Sequence, residues 1–198
     1  MPFPPRTRAS DAILRNLYRH LVATNVANGG QNRCMVTVVV TGDIDIPNGA
    51  FIATSGGAGV FGGLRTAIQN LRGNGIYGGV SYTLVNFSRN TNLIQMRNSP
   101  DPSMPGVPFL RSTPRNCAEP KALEAAAETG QALTGMSTFW WGNTPNAYPA
   151  PNADTTLPAV PWALPCPFCQ ANEENIMRTV SAQRLNRRAG VAIRSAEI

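Results

Sequence analysis

Two prolines decide where two helices of this chain can begin, and each brings cysteine to the start. In "NCAEPKALEAAAE", residues 116–128, Pro120 has no backbone N–H to offer a carbonyl four residues back. It fits only inside a first turn, so the helix opens at about Cys117. In "PCPFCQANEENI", residues 165–176, Pro167 sets a second first turn in the same way. Cys117 and Glu119 therefore stand at the positive, amide-rich end of one helix, where a thiolate is stabilised. Cys166 and Cys169, at i and i+3, leave the second turn on one side, the spacing with which a C-x-x-C pair grips one tetrahedral metal ion. A thiolate from Cys117 and one open position would complete the donor set of a catalytic zinc site; a closed structural site wants a fourth protein ligand.

The same residues carry plainer readings. Asn116 with Glu119 fits a capping pattern, and a first-turn glutamate is common for its interaction with the helix dipole. A lone C-x-x-C can be a redox pair, but that arrangement wants a strand before it at the head of a βαβ unit, and here a proline-rich loop precedes it. Cys34, in an apolar run, reads as a small buried hydrophobe, and His20, in "LYRHLV", as a surface or helix-packing residue.

The rest of the chain organises around these two mouths. Ser10 caps a predicted amphipathic helix over 10–24, with Ile13, Leu14, Leu17, Leu21 and Val22 at helical spacing. "CMVTVVVTG" and "GAFIATSG" read as paired strands joined by the Pro47-Asn48-Gly49 turn. "SGGAGVFGG" lacks the residues of a phosphate-binding loop and reads as a plain loop, followed by a short helix in "GGLRTAIQNLRG" and a strand in "VSYTLVNFS". A proline-rich loop over 98–115 leads into the helix of 117–129, then comes a strand in "MSTFWWGN". A second such loop, 144–165, leads to a long helix over about 167–188.

At 198 residues the chain reads as one domain, 1–198, with flexible termini at about 1–9 and 189–198. No apolar run is long enough for a bilayer and no signal sequence opens the chain, so a soluble protein that does not export itself is expected. Its 17 basic residues are sixteen arginines plus the single Lys121, against 11 acidic ones. An arginine-borne net charge of +6 favours a phosphate-bearing partner, with Arg184, Arg187 and Arg188 of the last helix as candidate contacts.

Taken together, Cys-Ala-Glu-Pro at one helix start and Pro-Cys-x-x-Cys at another resemble the zinc-dependent nucleobase and nucleoside deaminases, in the variant with cysteine for the usual histidine. The resemblance implies an α/β fold of three layers, α/β/α, with a central mixed sheet. It makes Cys117, Cys166 and Cys169 the ligands of Zn2+ and Glu119 the proton shuttle, beside a water acidified at cellular pH. "NCAEPKALEAA" is most similar to the deaminase domains of bacterial polymorphic toxins, several of which edit cytosine in nucleic acid. That likeness implies conversion of cytosine to uracil in nucleic acid, single-stranded DNA favoured over RNA, by a monomeric toxin domain. It would act in the cytoplasm of a target cell, with a cognate immunity protein as partner and no membrane association.

Trp140, Trp141, Trp162, Tyr148 and Phe168 are the candidates for stacking on a splayed-out base, Trp140 and Trp141 alternating across a strand. Asn48, Asn86 and Asn90 are the candidates for the family's substrate-contacting asparagine. Two features depart from the family. The motifs lie 49 positions apart, longer than in compact nucleoside deaminases, and one extra residue separates Trp162 from Pro165. The rival functions are deamination of a free nucleoside, nucleotide or base, a non-catalytic zinc-stapled nucleic-acid-binding module, and an interaction protein using its arginine-rich last helix.

Overall fold

The run "CMVTVVVTG" forms strand β1, Cys34–Gly42, and its unbroken apolar character reflects burial on both faces. The computed structural model describes residues 1–24, 34–55, 61–74, 79–85, 117–142, 145–151 and 158–196. Strand β2, Pro47–Thr54, pairs antiparallel with β1, as the hairpin pattern predicts. The turn between them depends on Gly42: its φ is +100°, and the Asn48 amide lies 2.8 Å from where a Cβ would stand. Strand β3, Ser81–Val85, runs parallel to β2 after helix α2, Phe61–Asn74, which makes the crossover a parallel pair requires. Strand β4, Leu133–Trp141, pairs antiparallel with the other side of β1, giving the order β3-β2-β1-β4.

Helices cover both faces of this mixed sheet, so the fold is a three-layer α/β/α sandwich. One layer is α2 with α1, Arg8–Ala23, whose Ile13, Leu14, Leu17 and Leu21 pack on Val36, Val38, Ile52 and Phe139. Helix α1 starts earlier than expected. Thr7 is the N-cap, and Ser10 sits three residues inside as its reciprocal partner in a capping box, so both hydroxyls satisfy end amides. The other layer holds α3, Ala118–Ala127, with the short α4, Pro167–Ala171, and the long α5, Glu173–Ala196. Ala118, Ala122, Ala126 and Ala127 are fully buried against the sheet and α5, letting the α3 backbone approach closely.

One expectation is corrected. The helix predicted over 167–188 is two: Asn172, at φ −106°, ends α4, its side-chain amide donating to the Phe168 carbonyl at 2.9 Å. Beyond it, α5 runs to Ala196. Two of the first residues bond to distant parts of the chain. The Phe3 amide donates to the Glu173 carboxylate, and the Met136 amide to the Pro5 carbonyl at 2.9 Å.

The long stretch between the motifs extends the sheet. On the outer edge of β4, Trp140 donates to Pro161 and Ala163 to Thr138, while Ala150 and Leu164 add a further pair of bonds between 148–150 and 162–164. No helix among the described residues is long and apolar enough to cross a membrane.

Candidate metal centre

The two proline-set first turns meet. Cys117 is the N-cap of α3 and Cys166 the N-cap of α4, both in extended backbone (ψ 141° and 158°), and neither side chain caps its own helix. Both thiols are thus free to turn toward Cys169, and the three sulfurs lie within 4.8 Å of one another. Cys117 and Cys166 sulfurs are 3.9 Å apart. A tetrahedral centre with metal–sulfur bonds of about 2.3 Å places its sulfurs about 3.8 Å apart, so the group has the span to hold one metal ion. The cluster is enclosed, with Cys117, Cys166 and Cys169 at 3%, 8% and 0% exposure. Among the described residues no fourth cysteine, histidine or carboxylate lies within that distance of all three sulfurs.

Three thiols this close cannot all ionise alone. Hydrogen bonds from Cys117 and Cys169, then backbone amides of Cys169 and Phe168, hold Cys166 down to about 3. The same sulfur-to-sulfur hydrogen bonds, with burial, push Cys117 and Cys169 above the usual thiol range. The bare group therefore shares one negative charge, and a thiophilic dication is what would let all three sulfurs ionise together.

Glu119, second residue of α3, is 1% exposed and points at this cluster: the Cys169 thiol donates to its Oε2 at 3.8 Å. Its Oε1 is buried with no hydrogen-bond partner. Burial first, and the Cys166 charge second, push its carboxyl up to about 8. An enclosed carboxyl holding its proton near neutrality, with one oxygen free, is suited to proton transfer and poorly suited to capping.

Two residues further on, Lys121 donates to the Thr54 carbonyl at 2.8 Å, fastening the α3 start to the end of β2. Burial lowers its proton affinity, and the neighbouring Cys117 and Cys34 thiols partly restore it. Phe3, Tyr148 and Phe168 pack around the cysteines. Phe3 and Lys121 had no local signal: their partners Glu173 and Thr54 lie 170 and 67 positions away.

The aromatic candidates divide. Tyr148 and Phe168 are half-buried against the cluster, and Trp140 packs in the same layer. Trp141 and Trp162, each 4% exposed, are not brought to the cysteines: both face the α1 layer, across the sheet from them. Trp141 lies edge-on to Tyr18, and the Arg6 guanidinium covers Trp162 at 4.3 Å. Because helices cover both faces of the sheet, Trp140 and Trp141 each meet a helical layer and neither is fully exposed. Asn48 is the second residue of β2, six residues before Thr54, so about 20 Å of strand separates it from the end Lys121 grips. Asn86 and Asn90 lie outside the described residues. Arg184, Arg187 and Arg188 are not brought to the cysteines. Arg188 packs beside Gly130 beyond the far end of α3, and about 20 Å of helix separates these arginines from the α5 start.

No protein family, curated protein or solved structure matches the chain, so the reading of this centre rests on its residues alone.

Proposed function

We propose that the protein is a zinc-dependent deaminase that converts cytosine to uracil in nucleic acid, single-stranded DNA foremost, as a bacterial toxin domain. The observation that carries the reading is the pairing of three converging cysteine sulfurs with a fully buried glutamate whose Oε1 has no partner. Three protein ligands leave a fourth position for water, which is the pattern of hydrolytic rather than structural zinc. Zinc held there supplies an acidified water and a Lewis acid. Glu119, not itself a ligand, would lose its own proton once a dication offsets the cysteine charge beside it; it would then take a proton from water at its free Oε1 as the water oxygen bonds to the amino-bearing carbon, return it to the ring nitrogen of the base, and assist departure of the amino group as ammonia. Tyr148 and Phe168 form apolar walls on which a base can stack. The arginine-borne charge supports a polyanionic substrate.

The test is uracil formation on single- and double-stranded DNA and RNA, with free cytidine as a further arm, for wild type and Glu119→Gln. Wild type forms uracil in single-stranded DNA, and Glu119→Gln lowers the rate at least about 100-fold while metal analysis finds its zinc content unchanged. Product from cytidine alone would replace the polynucleotide reading with the free-nucleoside one. No product in any arm would sink both.

A further inference from the structure

Lys121 is the single lysine of a chain that otherwise carries its positive charge on arginine, and it is buried, at 5% exposure. Among the described residues its ammonium meets one hydrogen-bond acceptor, the neutral Thr54 carbonyl, and no carboxylate forms an ion pair with it. Burying an ammonium on a single neutral acceptor is unfavourable unless a negative charge stands nearby. Lys121 is four residues after Cys117, the N-cap of α3, and stands close enough for charge on the Cys117 sulfur to act on its ammonium. Cys34 of β1 is the other sulfur whose charge would act on it, and burial pushes that thiol up to about 12, leaving it neutral. Among the described residues, the group that would carry negative charge on this side is the cysteine cluster.

We propose that Lys121 is the countercharge of the cysteine centre: held by the Thr54 carbonyl, its ammonium offsets the excess negative charge of three ionised cysteines around a dication and raises the affinity of the site for that ion. The proposal rests on the metal-binding part of the function proposed above. Three thiolates exceed a divalent ion by one negative charge, and Glu119 adjoins them. In an enclosed site that excess is only weakly screened by water, so a fixed positive charge one helical turn away acts on it strongly. A tether alone would need only a neutral donor to Thr54, which distinguishes the two roles experimentally. Lys121 is thus a positioning and charge-balancing residue, acting through Cys117.

The full chain, stripped of metal, is titrated with Co(II), whose thiolate-to-metal absorption reports cysteine ligation, for wild type, Lys121→Gln and Lys121→Met. Glutamine keeps an N–H for Thr54 without the charge; methionine removes both. Both variants bind Co(II) with a dissociation constant raised about 10- to 100-fold. Metal-free Lys121→Gln melts within about 4 °C of wild type. Lys121→Gln binding as tightly as wild type would overturn the countercharge, as would an affinity loss that follows only the folded fraction of each variant. A wild type that takes up no Co(II) removes the metal centre and this role with it. Product formation has no part in the readout, so failure of the deaminase reading is seen separately.

Discussion

The two helical layers rest on the same strands and are built on opposite principles. Facing α1 and α2, the sheet meets bulk: Leu14, Leu17, Ile52, Leu64, Phe139 and Trp141 are buried together, with Tyr18 edge-on to both aromatic rings. Facing α3 and α5, it meets an alanine-rich helix along which Glu119, Lys121 and Glu124 are buried, with three buried cysteines gathered at its start. Burying ionisable groups is destabilising unless each is satisfied, so the second layer is held in place partly by the first. Stability and chemistry are divided between the faces, and variants can test that division.

The largest expected effects lie in crossing the two layers. Cys169→Ser removes a ligand and is expected to abolish Co(II) absorption and uracil formation while the fold persists. Phe139→Ala, on the other face, is expected to cost about 3–5 kcal/mol in urea unfolding and to leave one metal per folded chain. If Phe139→Ala lost metal from folded protein, or Cys169→Ser left binding intact, the division would fail.

A smaller effect separates the aromatic residues. Phe168→Ala is expected to lower kcat/KM on single-stranded DNA about 10-fold, as loss of one base-stacking wall would. Trp141→Phe is expected to leave kcat/KM unchanged and to lower stability by about 1 kcal/mol. Equal kinetic effects from the two would place substrate on both faces.

The smallest effect concerns pH, in the metal-free protein. Glu119, raised from 4.5 to about 8, holds a proton that the unfolded chain has released; alone it makes stability fall as pH climbs from 4.5 through about 8. Cys166, lowered from 9.0 to about 3, has released a proton that the unfolded thiol keeps; alone it makes stability rise over that range. The opposing slopes leave wild type nearly level there, and Glu119→Gln exposes the rising one. Urea midpoints at about pH 5.5 and about pH 7.5 check the sign; a level Glu119→Gln would contradict the assignment.

The cysteine centre was legible in the sequence because the rules that build it are local. A proline admits only a first turn, an N-cap leaves its side chain free to turn away, and an i, i+3 pair shares a face. The strands were legible too, since β-branched density needs no knowledge of the partner. Which face each tryptophan takes was not, because that depends on register. The pairing of β1 with β4 slips between Val40 and Thr41, and Trp162 is placed by its bridge to Phe139. Phe3 and Lys121 were beyond reach for a related reason: both are defined by contacts far apart in sequence, and nothing in "MPFPP" or "EPKAL" names Glu173 or Thr54.

Strand β4 has its outer backbone groups occupied at two places by its own chain, Met136 by Pro5 and the Thr138–Trp140 stretch by residues 161–163. A sheet margin satisfied in this way offers little template for strand addition by a second molecule. The segment that closes it at Met136 also carries Phe3 over the cysteines. A lesion within residues 3–7 would therefore uncover a sticky margin and three thiols at once, and self-association and intermolecular disulfide cross-linking would emerge as a single phenotype.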